Sequence, residues 1–398
     1  MRGHIRKRSK NSWTIVVDLG RDPITGKRKQ HWQSVKGTKK QAEQILNELF
    51  HSMEKGVYVK PTNRTIADFL LQWLRDYVQT NTSPRTASRY SEIVHRHLIT
   101  NLGHIPLSQL RPEHIQAYYA KALTNGRLDG KGGLSPQTVK HIHRVLSEAL
   151  HHGVKWGILT RNVASAVDPP RPVKKEITIV DVDDIALLLD EASKLEKRSG
   201  LPYYILFYTA LHTGMRRGEL LALRWCDIDL NIATISVTRS LLCLRNGSLE
   251  YREPKTNKSR RTIAMTPSLA TKLREHRISQ ESFRIAIGKL LNQNDLIFSR
   301  PDGSPITPNT VSPAFSKIAK RAGLTMRLHD LRHTHASMML KAGIHPKIVS
   351  ERLGHSTVSF TLDVYSHVVP GLQEAAARTF DESFSKARPS TMEKQGIF

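Results

Sequence analysis

The chain has 398 residues, enough for two or three domains of ordinary size. Hydrophobic residues make up 39% of it, which excludes a chain that is disordered throughout. The formal net charge is +26, and basic residues outnumber acidic ones in residues 1–60, 61–170 and 171–398 alike. Such a surplus repels itself, so a polyanion such as nucleic acid is the expected partner.

The sequence also argues against a membrane protein and against a secreted, disulfide-stabilised protein. No apolar run approaches the ~20 residues needed to span a bilayer, and the basic start lacks the apolar stretch of a signal peptide. An anionic membrane surface is a weaker alternative, since no basic amphipathic helix or lipidation signal is evident. Cys226 and Cys243 lack metal-ligand spacing, so we expect both to pack in cores within a reducing cytoplasm.

The N-terminal segment alternates short β-prone runs with turns. Residues 13–17 and 29–33 are predicted to pair across a turn at 22–26, forming a small antiparallel sheet. A helix is predicted over 39–53 from its apolar spacing. Residues 56–63, which contain a proline, are predicted to be a linker.

Residues 65–160 are predicted to be entirely helical, because their apolar residues recur with a period near 3.6. Three helix starts are marked by a capping residue, followed by an acidic residue three positions later or by proline. These signals are Thr65 with Asp68, Ser83-Pro84 and Ser135-Pro136. Four or five such helices would form a compact bundle.

A proline- and lysine-rich linker at 168–176 precedes a larger mixed domain. Its predicted helices lie near 182–195 and 202–213 and after Thr266-Pro267 and Thr307-Pro308, its strands lie at 232–237 and 261–265, and Asn246-Gly247 marks a hairpin. The predicted fold class is therefore α+β and mainly helical.

Two segments of this domain offer cations for chemistry. In HTGMRRGELLALRW, Gly214 breaks one helix and Arg216 lies at the turn before the next. Arginine suits phosphate because its planar fork donates two parallel hydrogen bonds. A solvated turn arginine is the alternative, which fits Arg217 well, while Glu219 is expected to orient Arg216 or cap the turn. In PKTNKSRRTIAM, Lys255 either reaches a cleft or is an exposed edge lysine.

A third segment, LHDLRHTHA, places His329 and Arg332 three residues apart, on one face of a helix. His335 falls on the face of Leu331, Met338 and Met339, so we expect a core histidine. The nearby histidines raise the question of a metal, but no HExxH pattern or cysteine partner accompanies them. Metal binding is therefore not expected.

The fourth segment, RLGHSTVSFTLDVYSH, has a helix that Pro346 starts and Gly354 ends. His355 follows that end, where a side chain can point into a cleft. Tyr365 comes ten residues later on a short predicted helix, and a core tyrosine is the alternative. Together the four segments supply two arginines, a lysine, two histidines and a tyrosine without an acidic cluster for Mg²⁺, a set suited to metal-free phosphodiester exchange.

This combination resembles the tyrosine recombinase family, the phage-type integrases, over the whole third domain and in the family's order. The resemblance implies a catalytic set of Arg216, Lys255, His329, Arg332, His355 and the nucleophile Tyr365. Lys255 has a near neighbour in Lys258, which leaves that assignment open. No cofactor and no metal are implied.

The upstream regions resemble the family's DNA-binding domains. The resemblance implies an arm-type DNA-binding domain at 1–56, with a three-stranded sheet and a helix, a helical core-binding domain at 64–167, a catalytic domain at 177–386 and a flexible tail at 387–398. In the first of these, Trp13 and Trp32 either pack the sheet or touch DNA. The implied phosphate contacts are Arg6, Lys7, Arg8, Lys10, Lys27, Arg28 and Lys29.

The resemblance also implies the reaction and its partners. Tyr365 would attack the scissile phosphate of double-stranded DNA, giving a 3′-phosphotyrosine that a 5′-hydroxyl later resolves. Core and arm-type attachment sites, a homotetramer on DNA and a possible directionality factor would be the partners. A late helix at 371–386 would pack on a neighbouring protomer or within its own chain. The extra arm domain favours the integrase of a mobile element.

Three other functions remain open at this point. One is a DNA-binding regulator that has lost catalysis, against which the intact six-residue set argues. A second is a type IB topoisomerase, which shares the chemistry but would not need an arm domain. A third is a metal nuclease, which EDTA would inhibit.

Overall fold

The computed structural model describes residues 3–21, 26–54, 64–173, 180–244, 246–253, 260–355, 357–365, 377–378 and 380–382. The chain divides into two compact units, residues 1–174 and 175–398.

The first unit begins with a three-stranded antiparallel sheet and a helix. The sheet has the order β1 (Gly3–Ser9), β2 (Ser12–Arg21), β3 (Arg28–Lys36), and helix α1 (Lys39–Glu54) follows. Because side chains alternate along a strand, Ile15, Val17 and Val35 point to one face, where they pack with Leu46 and Leu49 of α1. Of the turn predicted at 22–26, residues 22–25 lie outside the described residues, as does the linker predicted at 56–63.

The remainder of the first unit is helical, as predicted. Its helices are α2 (Ile66–Trp73), continued by a π-helical turn at Leu74–Val78, α3 (Pro84–Ile93), continued by a second at Val94–Ile99, α4 (Pro112–Asn125) and α5 (Pro136–Lys155). Thr65 and Asp68 form a capping box, and Ser83 and Ser135 cap α3 and α5. These cap predictions are confirmed.

Helices and small sheets alternate in the second unit. It contains α6 (Val182–Ser199), α7 (Tyr203–Thr213), the short α8 (Arg217–Leu220), a sheet of β4 (Ile228–Asp229), β5 (Thr234–Val237) and β8 (Arg261–Ala264), and a hairpin of β6 (Ser240–Cys243) and β7 (Leu249–Arg252). Gly247 closes the hairpin with φ 82°, which confirms the turn predicted at Asn246-Gly247.

Five further helices follow in this unit. They are α9 (Pro267–Ala286), α10 (Pro308–Arg321), α11 (Asp330–Lys341), α12 (Pro346–Leu353) and α13 (Val358–Tyr365). Residues 377–378 and 380–382, within the late helix predicted at 371–386, are also helical, while the rest of 371–386 lies outside the described residues. Thr266 and Thr307 cap α9 and α10, as predicted. Phe207, Phe298 and Phe315 lie at the centre of the main core, fully excluded from solvent.

Candidate active site

The turn that carries Arg216 depends on a glycine. Helix α7 ends at Thr213, and Gly214 follows in the left-handed conformation with φ 63°. A Cβ atom on Gly214 would lie 2.5 Å from Cδ2 of Leu353 and 2.8 Å from Cδ2 of His335. Only glycine therefore satisfies both the backbone angle and the close packing, and the chain enters α8 directly with Arg216 as its N-cap.

Arg216 is held at both ends of its guanidinium. Nη1 donates to Oε1 of Glu219 at 2.9 Å, and Nη2 donates to the carbonyl oxygen of Gly354 at 2.8 Å. The other oxygen of Glu219 accepts the backbone N–H of Arg216 at 2.9 Å, closing the turn. These contacts use two of the five guanidinium N–H groups, and 41% of the side chain stays exposed to solvent.

Arg332 reaches the same place from α11. Its side chain donates through Nη1 to the carbonyl of Gly214 at 2.7 Å and through Nη2 to that of Leu353 at 2.6 Å, in a residue only 3% exposed. Leu353 and Gly354 end α12, where carbonyls lack helical partners and carry the negative end of the helix dipole. The consecutive carbonyls of Leu353 and Gly354 therefore bring Arg332 and Arg216, which are more than 100 residues apart in the chain, side by side.

A buried ion pair stabilises the position of Arg216. Arg261, at the start of β8, donates Nη2 to Oε2 of Glu219 at 2.8 Å, with both side chains 6% exposed. Burial acts to raise the pKa of Glu219, but the hydrogen bonds and charges of Arg261 and Arg216 outweigh it and hold the pKa below its usual value. Glu219 therefore stays ionised and ties the two arginines together.

Two histidines border the arginine pair, and both are neutral at pH 7. Burial, with the nearby charges of His333 and Arg332, lowers the pKa of His329 to about 4. Burial, with Arg332 and Arg216, lowers that of His355 to about 3, and its Nδ1 lies 2.8 Å from Oγ1 of Thr361. A neutral imidazole can accept a proton or donate a hydrogen bond from its N–H.

The side chains of two predicted catalytic residues, Tyr365 and Lys255, lie outside the described part of the structure. Tyr365 is the last residue of α13, but its side chain lies outside the described part of the structure. Lys255, with Lys258, falls within 254–259, also outside the described residues, between the ends of β7 and β8. Their roles remain predictions.

Comparison with known proteins decides the family. The chain matches the Phage integrase family over residues 179–370, the family's N-terminal SAM-like domain over 65–123 and the Arm DNA-binding domain over 4–53. A Tyrosine recombinase XerC-like protein of Caldanaerobacter subterraneus is 31% identical over 95% of this chain and 98% of its own length. The chain belongs to the tyrosine recombinase family. It is therefore a DNA strand-breaking and rejoining enzyme of the integrase type, as the motifs predicted.

Further relatives of this tyrosine recombinase come from mobile elements. The ICEBs1 integrase of Bacillus subtilis is 25% identical over 95% of this chain and 99% of its own length. Among solved structures, the Tn1549 transposon integrase with circular intermediate DNA gives a TM-score of 0.65 at 19% identity, covering 80% of this chain and 99% of that chain. A lambda integrase dimer on a core site gives 0.56 at 18%, covering 91% and 94%. These matches confirm the predicted α+β fold.

Several predictions for the recombinase need correction. Arg217 is not a solvated turn residue: it is half-buried and donates to the carbonyl of Pro308 and to Ser312. Cys226 is exposed and Cys243 is half-buried, so neither packs in a core, although both are free thiols. His335 is buried as predicted, but Met338 on the same predicted face is 38% exposed.

Sequence reasoning missed two arginines of the site. Arg261 was seen only as the start of a strand, and Arg352 only as the residue before L-G-H. Two signals were available in the sequence. Arg261 is a charged residue beside the apolar run of a strand, and Arg352 is a charged residue in the last turn before a helix-ending glycine. Neither signal names a partner, because the partners Glu219 and His335 lie in distant segments.

Only some of the residues predicted to contact DNA in the N-terminal domain lie on the exposed face of its sheet. Arg6 and Arg8 are exposed on the face opposite α1, and the guanidinium of Arg6 lies 6.0 Å from the ring centroid of the 56% exposed Trp32. Lys7 points to the helix side, over Trp13. Among the remaining candidates, Lys10 and Lys27 are exposed, Arg28 pairs with Asp18, and the side chain of Lys29 lies outside the described residues.

A second basic cluster lies in the helical bundle, and sequence reasoning did not single it out. Arg89 of α3 and Lys140 and Arg144 of α5 are close enough to His141 that their charges, added to burial, lower its pKa. Nε2 of Gln137 lies 3.1 Å from Nε2 of His141. Neutral hydrogen-bonding groups thus lie among three cations.

The described residues contain neither a metal-ligand cluster nor a helix that could span a membrane. No group of three or more His, Cys, Asp or Glu residues is arranged to hold a metal ion in the described ranges. No helix that the structure describes is long and apolar enough to cross a bilayer.

The burial of His335 predicts a pH-dependent stability. Burial, with the charge of Arg352, lowers the pKa of His335 to about 3. Below about pH 6.5 the unfolded chain binds a proton that the folded chain excludes, so the free energy of unfolding falls with falling pH, by up to about 1.4 kcal/mol per unit. Urea unfolding near pH 7 and near pH 5 should show a larger pH effect in the wild type than in His335→Gln. An equal effect in both proteins would contradict the assignment.

Proposed function

We propose that this tyrosine recombinase integrates and excises a mobile element by cleaving DNA with Tyr365, and that Arg216, Arg332, His329, His355 and Lys255 serve that cleavage. One observation carries the proposal: Arg216 and Arg332 donate hydrogen bonds to two consecutive backbone carbonyls at the end of α12, close to two neutral histidines. The helix that ends in Tyr365 follows shortly after that turn. Two adjacent guanidinium groups match the non-bridging oxygens of a phosphodiester.

The proposed step exchanges one phosphodiester for another. The phenol oxygen of Tyr365 forms a bond to phosphorus as the bond to the 5′-oxygen breaks, leaving a 3′-phosphotyrosine. Neutral His329 accepts the phenolic proton, since a free phenol with a pKa of about 10 is a poor nucleophile at neutral pH. Lys255 donates a proton to the 5′-oxygen, and His355 hydrogen-bonds the phosphate. Resealing reverses each transfer, so ATP is not needed.

Covalent trapping without metal tests the proposal. A nicked attachment-site duplex that loses the short fragment after cleavage should accumulate a protein–DNA adduct that survives denaturing gels, to the same extent in EDTA as in Mg²⁺. The reason is that the proposed charge stabilisation comes from two arginines. Cleavage that leaves free DNA ends and stops in EDTA would instead establish a metal nuclease.

The two basic surfaces of the first unit are the proposed DNA contacts outside the active site. The cations around His141 would hold phosphates of the core site, since phosphate contacts position a protein on a duplex. The sheet face with Arg6 and Arg8 would bind arm-type sites. The domain bounds 1–56, 64–167 and 177–386, with a tail at 387–398, are part of this proposal, as are a tetramer on DNA and a directionality factor.

A pair of neighbouring substitutions tests the arm surface. Arg6→Ala is expected to weaken arm-site binding and to reduce the slope of log affinity against log salt by about 0.9, the loss of one phosphate contact. Lys7→Ala removes the same charge from the helix side and should leave the slope unchanged. Core-site cleavage should be normal in both variants. Equal losses at arm sites would refute the assignment of the exposed face.

A further inference from the structure

Arg352 makes three hydrogen bonds to three different elements. From the last turn of α12, its Nε donates to Nε2 of His335 at 3.1 Å, Nη1 to the carbonyl of Ala264 at 2.9 Å, and Nη2 to the carbonyl of His212 at 3.0 Å. Its own carbonyl accepts Nε of Arg261 at 2.7 Å. The half-buried side chain thus links the ends of α7, β8 and α12 to the middle of α11.

Each of those elements contains or borders a residue of the proposed catalytic set or the segment of the chain that holds one. His212 lies two residues before Gly214, whose carbonyl holds Arg332, and four before Arg216. His335 lies one helical turn after Arg332. Ala264 ends the strand that follows the segment of Lys255. Arg352 itself immediately precedes Leu353 and Gly354, whose carbonyls hold both arginines.

We propose that Arg352 is a positioning residue for DNA cleavage: by joining these four elements it sets the distance between Arg216 and Arg332. In this proposal it acts only through its neighbours, because all three nitrogens of its guanidinium, including Nε, already donate to the protein. The inference rests on the proposed function and adds to it a residue that acts through the other two arginines. A displacement of the reacting groups by about 1 Å can reduce a rate ~10²-fold.

A buried arginine elsewhere in the same unit provides a matched control. Arg284 is 6% exposed and donates Nη1 to the carbonyl of Asp302 at 3.0 Å, and within the described residues its side chain makes no hydrogen bond to the site segments. Arg284→Gln and Arg352→Gln both remove a guanidinium that satisfies backbone carbonyls. A purely structural role for Arg352 predicts the same outcome for both: lower thermal stability with an unchanged rate.

The experiment measures three quantities for the full-length variants: melting temperature, affinity for a core site, and the single-turnover cleavage rate on a trapping substrate at saturating DNA. Arg352→Gln is expected to bind normally and to cleave ~10²-fold more slowly, whereas Arg284→Gln cleaves at the wild-type rate below its melting temperature. Arg352→Lys, which keeps the charge but not the three-way geometry, should fold and also cleave slowly.

A double substitution of Arg216 and Arg352 distinguishes a positioning role of Arg352 from a general loss of stability. If Arg352 acts through Arg216, the loss in Arg216→Lys/Arg352→Lys should be smaller than the product of the single losses. Wild-type cleavage by folded Arg352→Lys, or losses that multiply fully, would overturn the inference. Failure of the wild type itself to form an adduct would instead overturn the proposed function.

Discussion

Tyr365→Phe is expected to bind its attachment site with wild-type affinity and to form no covalent adduct. The substitution removes only the phenol oxygen, the atom that is proposed to bond to phosphorus, and leaves an aromatic ring of the same shape at the end of α13. Binding is conserved because affinity for DNA comes mainly from phosphate contacts elsewhere. Gel shift and denaturing gel assays on one nicked duplex measure the two properties together.

The matched control for this variant is Tyr251→Phe. Tyr251 is a tyrosine of β7 that is 40% exposed and packs under Arg239, whose guanidinium lies 4.5 Å from the ring centroid. Its loss removes a second accessible phenol from the same unit and should leave the adduct yield unchanged. If the adduct persisted in Tyr365→Phe and vanished in Tyr251→Phe, the nucleophile would be Tyr251 and not Tyr365.

Arg216→Lys is expected to reduce the cleavage rate by ~10²–10³, the usual cost of losing one prearranged donor to a developing negative charge. Lysine keeps the charge, but it cannot bond Glu219 and Gly354 at once and still present a planar fork to the phosphate. Single-turnover cleavage at saturating DNA measures the effect without contributions from binding.

The neighbouring Arg217→Lys is the control for this second variant. Arg217 has the same side chain one residue later, but it bonds Pro308 and Ser312 instead of the carbonyls at the end of α12. Its substitution should change stability more than rate. Equal rate losses at 216 and 217 would show that the turn as a whole, and not the guanidinium of Arg216, supports cleavage.

Local patterns in the sequence predicted the helices and their starts well. Thr65, Ser83, Ser135, Thr266 and Thr307 all cap helices where predicted. Capping depends on groups within about one helical turn, so its signal is complete in a short window. Gly214 and Gly354 likewise end their helices in the left-handed conformation, for the same local reason.

The burial and the tertiary partners of individual side chains were harder to predict than the secondary structure. The spacing at 335 correctly indicated a buried histidine, but not that its Nε2 accepts Nε of Arg352, seventeen residues away on another helix. The local sequence predicts a solvated Arg217, because nothing in its neighbours reveals that Pro308 and Ser312 of α10 lie against it. The predicted structured segment around Cys226 indicates a core cysteine, yet in its 3₁₀ turn Trp225 and Asp227 are the buried residues and Cys226 is exposed.

Sequence patterns were sufficient to predict the α+β class, the chain positions of the helices and their caps, and the family, because the spacing of residue types within each motif is local information. Tertiary structure alone decided which groups meet: Arg216 and Arg332 on consecutive carbonyls, Glu219 between Arg216 and Arg261, and Arg352 across four elements. These contacts join segments up to 140 residues apart. Their partners are mostly backbone carbonyls, which every residue possesses, so no pattern of side chains could have identified them.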